Sequence, residues 1–166
     1  EALRKGADFV IEMDADFSHD PKYIPSMLQA VDQGADLVLG SRFVAGGADM
    51  DRGFLRRVLS LAAGAYVRGV LGLKTRDVTS GYRCFSRRAL KCVELDHLVS
   101  RGPSILQETL YKVHLSGLKI VEVPIQFVDR QVGTSKLDST KLIECLKMVL
   151  IIRYKKQVGR LFETTH

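Results

Sequence analysis

Two aspartates, Asp14 and Asp16, close a short apolar run, Phe9 to Met13, that is interrupted only by Glu12. Side chains two apart on an extended backbone point to one side, so the pair can share a hard divalent cation, which in turn would neutralise a diphosphate. Strand-end and turn residues have the same pattern, with an extra helix cap nearby. His19 adds a further ligand, a contact to phosphate, or a structural imidazole. The segment Asp77-Val78-Thr79-Ser80-Gly81-Tyr82-Arg83 packs an acid, two hydroxyls, a glycine and an arginine into one turn. Arg83 has a fork of donors suited to phosphate oxygens, and Asp77 suits orienting an acceptor or helping to hold the metal; a self-satisfied turn with a surface arginine is the plainer alternative. Glu108, at a helix start, reads either as an acid or base facing the sheet ends or as a first-turn glutamate favoured by the helix field. Arg130, Gly133, Ser135 and Lys136 make a basic loop able to wrap a diphosphate or to stay solvated, and Arg42, Arg56 and Arg57 carry the same ambiguity.

These residues need a frame that gathers them. The run from Phe9 to Met13 reads as a sheet strand with the acid pair at its C-terminal end. Asp20-Pro21 starts a helix that runs to about Gln33, Pro25 delaying its regular part, and Gly34 stops it. Ala35 to Leu39 reads as a second buried strand leading into Gly40-Ser41-Arg42, with a parallel crossover between the two strands. Residues 44 to 53, rich in glycine and aspartate, read as a surface loop placed to act as a lid. Helical spacing marks Phe54 to Leu71, a short helix near Ser86 to Val93 after a turn-rich segment at 77 to 85, Ser104 to Ser116, and Ser139 to Tyr154. Lys119 to Val123 and Ile125 to Val128 read as short strands parted by Pro124.

The chain has 166 residues, of which 46% are hydrophobic, enough for one substantial core. Its 25 basic and 19 acidic residues leave a net charge of +6, which favours anionic partners. No zinc, KH or RNA-recognition motif is present, and the basic residues are not interleaved with aromatics, which argues against a nucleic-acid partner. Cys84, Cys92 and Cys145 are odd in number and widely spaced, indicating neither a disulfide framework nor a thiolate metal site. No apolar run is long enough to span a bilayer. The last helix carries Leu142, Ile143, Leu146 and Met148 to Ile152, with Lys141, Lys147, Arg153, Lys155 and Lys156 around them, and suits either an anionic membrane surface or a packing role. The opening residues read as a helix end entering a strand, which suggests a piece of a longer chain.

Taken in order, MDADFSHDP (13 to 21), GSR (40 to 42), DVTSGYR (77 to 83), QET (107 to 109) and VPIQFVDRQVGTSK (123 to 136) resemble the family 2 glycosyltransferases, and within them the dolichol-phosphate and polyprenyl-phosphate mannosyltransferases. The resemblance covers roughly residues 1 to 155. It implies an α/β fold of GT-A (Rossmann-like) type, a mixed sheet flanked by helices, lacking the family's N-terminal nucleotide-binding strands. Residues 1–138 would then be the metal and acceptor half of the catalytic domain, 139–157 an interfacial or packing helix, and 158–166 a tail; an exposed sheet edge or an underfilled core is expected. It implies a metal-dependent, inverting transfer of mannose from GDP-mannose to dolichyl or polyprenyl phosphate. A relative using UDP-glucose or another nucleotide sugar is the alternative, as is a noncatalytic truncated homologue. By the same resemblance Asp14 and Asp16 hold Mg2+ or Mn2+, and Asp16, Asp77 and Glu108 are catalytic. Arg130, Ser135 and Lys136 would bind the donor diphosphate, and Arg42, Arg56, Arg57 and Arg83 the acceptor phosphate. The implied location is peripheral, on the cytosolic face of a membrane (endoplasmic reticulum or bacterial plasma membrane), with a membrane-anchoring subunit as a further partner.

Overall fold

The structure, a computed structural model, describes residues 1–50, 54–128, 139–157 and 159. Strand β1 spans Phe9–Glu12. After it, the Asp20 side chain caps a single 3-10 turn at Pro21–Tyr23, and helix α1 follows over Ile24–Asp32. Pro25 thus sits in the first turn of α1, where its missing N–H costs nothing. Strand β2, Leu37–Ser41, is buried along its whole length. Short strand β3 is Ala48–Met50, and helix α2 runs over Phe54–Leu71. Strand β4 (Arg83–Ser86) leads directly into helix α3 (Arg87–Val93), which Ser86 caps by accepting from the Ala89 amide. Helix α4 (Ile105–Leu115), strands β5 (Ile120–Pro124) and β6 (Gln126–Val128), and helix α5 (Ser139–Gln157) complete the order.

The four-stranded sheet has the order β1-β4-β2-β5. β1 and β2 both run antiparallel to β4, and β2 runs parallel to β5, with Leu37 opposite Ile120 and Ser41 opposite Pro124. β1 and β2 therefore point the same way in one sheet, as the parallel crossover read from the sequence implies, with β4 interposed between them. β4 itself falls in a segment read as turn. β3 pairs in parallel with β6, so part of the expected 44–53 loop is a ladder. Among the described residues β1 has one strand neighbour, and Phe9 and Met13 are exposed at that edge.

Alternation along the strands divides the core between the two faces. Leu37, Leu39 and Phe85 pack with Val67 and Leu71 of α2, Leu90 of α3, Leu110 of α4 and Ile152 of α5. Val38, Cys84 and Tyr82 pack on the other face with Met27 of α1 and Ile125. A buried carboxylate, Asp36, ties the layers together. It accepts from both Arg88 Nε and Nη2 at 2.8 Å and from the Lys119 amide at 2.9 Å, joining β2 to α3 and to the start of β5. The Arg88 bond outweighs burial and holds Asp36 below the ordinary carboxylate range.

On α5, Val149 and Ile152 are buried while Ile143, Leu150, Ile151 and Tyr154 are exposed. Val58, Leu59 and Leu61 of α2 are exposed as well. Among the described residues, no helix is long and apolar enough to cross a membrane.

Candidate active site at the strand ends

β1 and β2 end at the same side of the sheet, and the residues after them meet there. Beyond Glu12, which faces Arg83 in the ladder, the chain turns sharply. The Ser18 amide and hydroxyl both donate to Asp16 Oδ1, at 3.1 and 2.5 Å. This closure forces the intervening Phe17 to φ +64°, a left-handed conformation in which an exposed aromatic is uncommon. Asp14 turns its carboxylate outward, and its amide donates to His19 Nδ1 at 2.9 Å.

His19 is only 4% exposed. Its ring stacks on Tyr82 with centroids 4.9 Å apart and meets the edge of Phe127 at 5.6 Å. Burial holds its pKa below the ordinary imidazole value; the charges of Asp14 and Asp16 pull it up, Arg42 pushes it down and Asp77 pulls it up. All four charged groups are thus close enough to be felt at one ring.

After β2, Arg42 turns back into the protein. Its Nε and Nη2 donate to the two oxygens of Asp77 at 2.8 Å each, its amide donates to Asp77 at 3.0 Å, and Nη2 also reaches Thr79 Oγ1 at 2.8 Å. The guanidinium lies over Phe127 and Phe43 at 5.4 and 5.1 Å. Burial raises the Asp77 pKa, but the bonds and charge of Arg42 prevail and leave it below the ordinary value. Glu122 of β5 fixes the turn from below by accepting from the Arg76 and Asp77 amides at 2.9 Å.

Arg83 and Glu108 are placed otherwise than the sequence suggests. Arg83 is fully buried: Nε donates to Ser80 O at 2.7 Å, and Nη1 to Leu106 O at 2.7 Å and Thr109 Oγ1 at 3.0 Å. Its Nη2 is buried without a hydrogen-bond partner among the described residues. Burial pushes its pKa down to about 10, still charged at neutral pH. From β4 the guanidinium is thus held against α4 and has no exposed surface. Glu108 is also fully buried and accepts from the Val99 and Ser100 amides at 3.0 and 2.6 Å, so it orders the loop before α4 instead of facing an open site. Arg57 is exposed on the first turns of α2. Arg130, Ser135 and Lys136 lie outside the described residues, as does the side chain of Arg56.

Thr79, Tyr82, Phe127 and Glu122 also belong to the site; Thr79 and Tyr82 lie in the DVTSGYR segment and Phe127 in the 123 to 136 segment, whereas Glu122 looks like any strand residue. No group of three or more metal-ligating side chains occurs among the described residues. Two carboxylates nevertheless suit a hard cation that takes its remaining oxygens from phosphates and water. Space is available: a Cβ added to Gly81 would lie 3.8 and 3.9 Å from the Asp14 carboxylate oxygens, in ordinary contact, so the glycine leaves the front of that carboxylate open.

Comparison with known proteins is consistent with this arrangement. The model of glycosyl transferase family 2 matches residues 5–94. The chain is 39% identical over 144 residues to polyprenol monophosphomannose synthase of Mycolicibacterium smegmatis, covering 87% of this chain and 54% of the relative. It is 42% identical over 135 residues to undecaprenyl-phosphate mannosyltransferase of Micrococcus luteus, covering 81% and 55%. Dolichol-phosphate mannosyltransferase of Pyrococcus furiosus is 34% identical over 159 residues, with 93% and 43% covered. The chain thus spans about half the length of these relatives. In fold it matches glucosyl-3-phosphoglycerate synthase from Mycobacterium tuberculosis, solved with phosphoglyceric acid, with a TM-score of 0.60, 19% identity, and 92% of this chain and 50% of that one covered. The same enzyme solved with Mn2+ and UDP-glucose gives a TM-score of 0.56 at 22% identity and the same coverage. The central mixed sheet between helical layers is GT-A-like.

Proposed function

Because the chain belongs to glycosyl transferase family 2, we propose that the complete protein transfers a sugar from a nucleotide-sugar donor to a phosphate-bearing acceptor. The observation that carries this reading is the open Asp14 carboxylate beside Gly81, at the strand ends where Asp77 is held ionised by Arg42.

Asp14 and Asp16 would hold Mg2+ or Mn2+, and the bound ion supplies positive charge opposite the leaving diphosphate. Arg130, Ser135 and Lys136 are proposed to grip that diphosphate. On the acceptor side, Arg56 and Arg57 are proposed to meet the phosphate. Arg42, with its fork on Asp77, and Arg83, enclosed beneath α4, are assigned positioning roles, as is Glu108. The acceptor phosphate is anionic near neutral pH, so its oxygen can attack the anomeric carbon as the sugar–diphosphate bond breaks, inverting the carbon without a general base. Asp77 then has no proton to take.

The finer form of the proposal is mannosyl transfer from GDP-mannose to a polyprenyl or dolichyl phosphate at the cytosolic face of a membrane, supported by the names of the relatives above. A UDP-sugar donor is the second reading, since a GT-A neighbour holds UDP-glucose. The test is transfer of labelled sugar into organic-extractable polyprenyl phosphate by the full-length protein, with GDP-mannose, UDP-glucose or UDP-N-acetylglucosamine, each with and without metal. Product from GDP-mannose alone is expected. Product from a UDP-sugar replaces the donor, and no product from any donor, with folding verified, overturns the polyprenyl-phosphate reading in favour of a different acceptor or a noncatalytic homologue. Asp16→Asn should lower turnover by at least about 100-fold, the scale of losing a group that stabilises developing charge; near-normal turnover would remove Asp16 from the metal site.

A further inference from the structure

We infer that His19 is a positioning residue for Asp14: its neutral imidazole, with the proton on Nε2, holds the Asp14 main chain through Nδ1 and leaves the Asp14 carboxylate available to a cation. The inference rests on the reading of Asp14 and Asp16 as cation ligands.

The Asp14 amide can only donate, and it lies 2.9 Å from His19 Nδ1, so that nitrogen is the acceptor and the ring proton belongs on Nε2. The bond answers a need that the fold creates. The β1 ladder ends at Glu12 opposite Arg83, so the Asp14 amide has passed beyond its strand partner, and His19 supplies the acceptor the ladder no longer offers. Asp14 Oδ2 is 3.8 Å from the same Nδ1, beyond hydrogen-bond distance, and with no proton on that nitrogen the two do not pair. The opposite tautomer would break the hydrogen bond from the Asp14 amide and place a ring N–H toward the carboxylate.

The ring is also held on its other sides. Tyr82 stacks on it and is itself anchored by its hydroxyl to Asp20 O at 3.2 Å, while Phe127 meets its edge and carries Arg42 at 5.4 Å. One buried ring thereby fixes the main chain of Asp14 relative to the Arg42–Asp77 pair, the outer-shell arrangement that orients metal ligands elsewhere.

Mn2+ binding to the full-length protein without substrate, followed by the electron paramagnetic resonance of free Mn2+, tests this together with the imidazole 15N signals. His19→Phe, which retains a ring but no acceptor, should weaken Mn2+ binding about tenfold or more while unfolding cooperatively. His19→Asn, whose amide oxygen can accept, should recover part of the loss. In the unsubstituted protein the His19 Nδ1 signal should be of the unprotonated, pyridine-like type. A protonated Nδ1 overturns the proposal without any variant having to fold. Asp14→Asn separates the two levels. If it abolishes Mn2+ binding and His19→Phe leaves the affinity unchanged, the positioning role alone falls; if neither substitution changes it, the cation reading falls and the proposal with it.

Discussion

Both oxygens of Asp77 are taken by Arg42 at 2.8 Å, and the pair is almost fully enclosed. Two charges so placed have given up their hydration, so removing one leaves the other buried and unpaired. Asp77→Asn should therefore destabilise the protein by about 3–5 kcal/mol, measured by urea unfolding at neutral pH. The pH dependence has a definite sign. Because the folded state holds the Asp77 pKa below its ordinary value, the pair's contribution is present above the ordinary carboxylate range and is lost as pH falls through the lowered value. The substituted protein should consequently show a shallower loss of stability on the acid side, with Asp36 still contributing its own share in the same direction.

At the scale of elements, the approach of β3 to the end of β2 depends on one residue without a side chain. A Cβ at Gly47 would stand 2.5 Å from Ser41 O and 2.9 Å from the Arg42 carbonyl carbon, which main chain cannot yield cheaply. Gly47→Ala should cost about 1–3 kcal/mol or more by thermal denaturation and loosen the β3–β6 ladder beside Arg42. Gly69→Ala, on an exposed turn of α2 with nothing within 4 Å, should instead stabilise by about 0.5–1 kcal/mol. The helices and the strands β1, β2, β5 and β6 are legible in the sequence because each has its own period, cap or breaker, down to the late start of α1 at Pro25. β4 is not, since a strand of Arg, Cys, Phe and Ser has neither alternation nor length, and only its two partners make it one. β3, of Ala, Asp and Met, exists through β6. The acid pair and the DVTSGYR turn are legible as residues with chemical potential, but the bond between Arg42 and Asp77 spans a strand, a loop and a helix. A cation that reads locally as a phosphate ligand thus has its fork already occupied.

Across the whole molecule, the positive balance and the apolar exposure on α5 lie together. Ile143, Lys147, Leu150, Ile151 and Tyr154 recur at three- and four-residue spacing on its outer side, with Lys155 and Lys156 following. Such a face suits an anionic lipid surface, which would also bring a polyprenyl acceptor within reach. Flotation with vesicles containing phosphatidylglycerol should recover the protein, and the pair Lys147→Glu and Ile151→Ser should reduce the bound fraction on the order of tenfold at low salt. Unfolding should change little, because both side chains point away from the core; equal flotation of the two proteins would assign the face to another neighbour.

The interposed β4 also bears on how the chain comes into being. A ribosome releases β1 and β2 well before residues 83–86 have been synthesised, and these two strands share no hydrogen bonds in the finished sheet. Until β4 emerges β2 lacks both of its described strand partners, since β5 comes later still. β1 and β2 thus await a common partner, and β2, with both of its described neighbours still to come, has edges that invite foreign strands in that interval. The segment least recognisable in the sequence is the one that first joins the two.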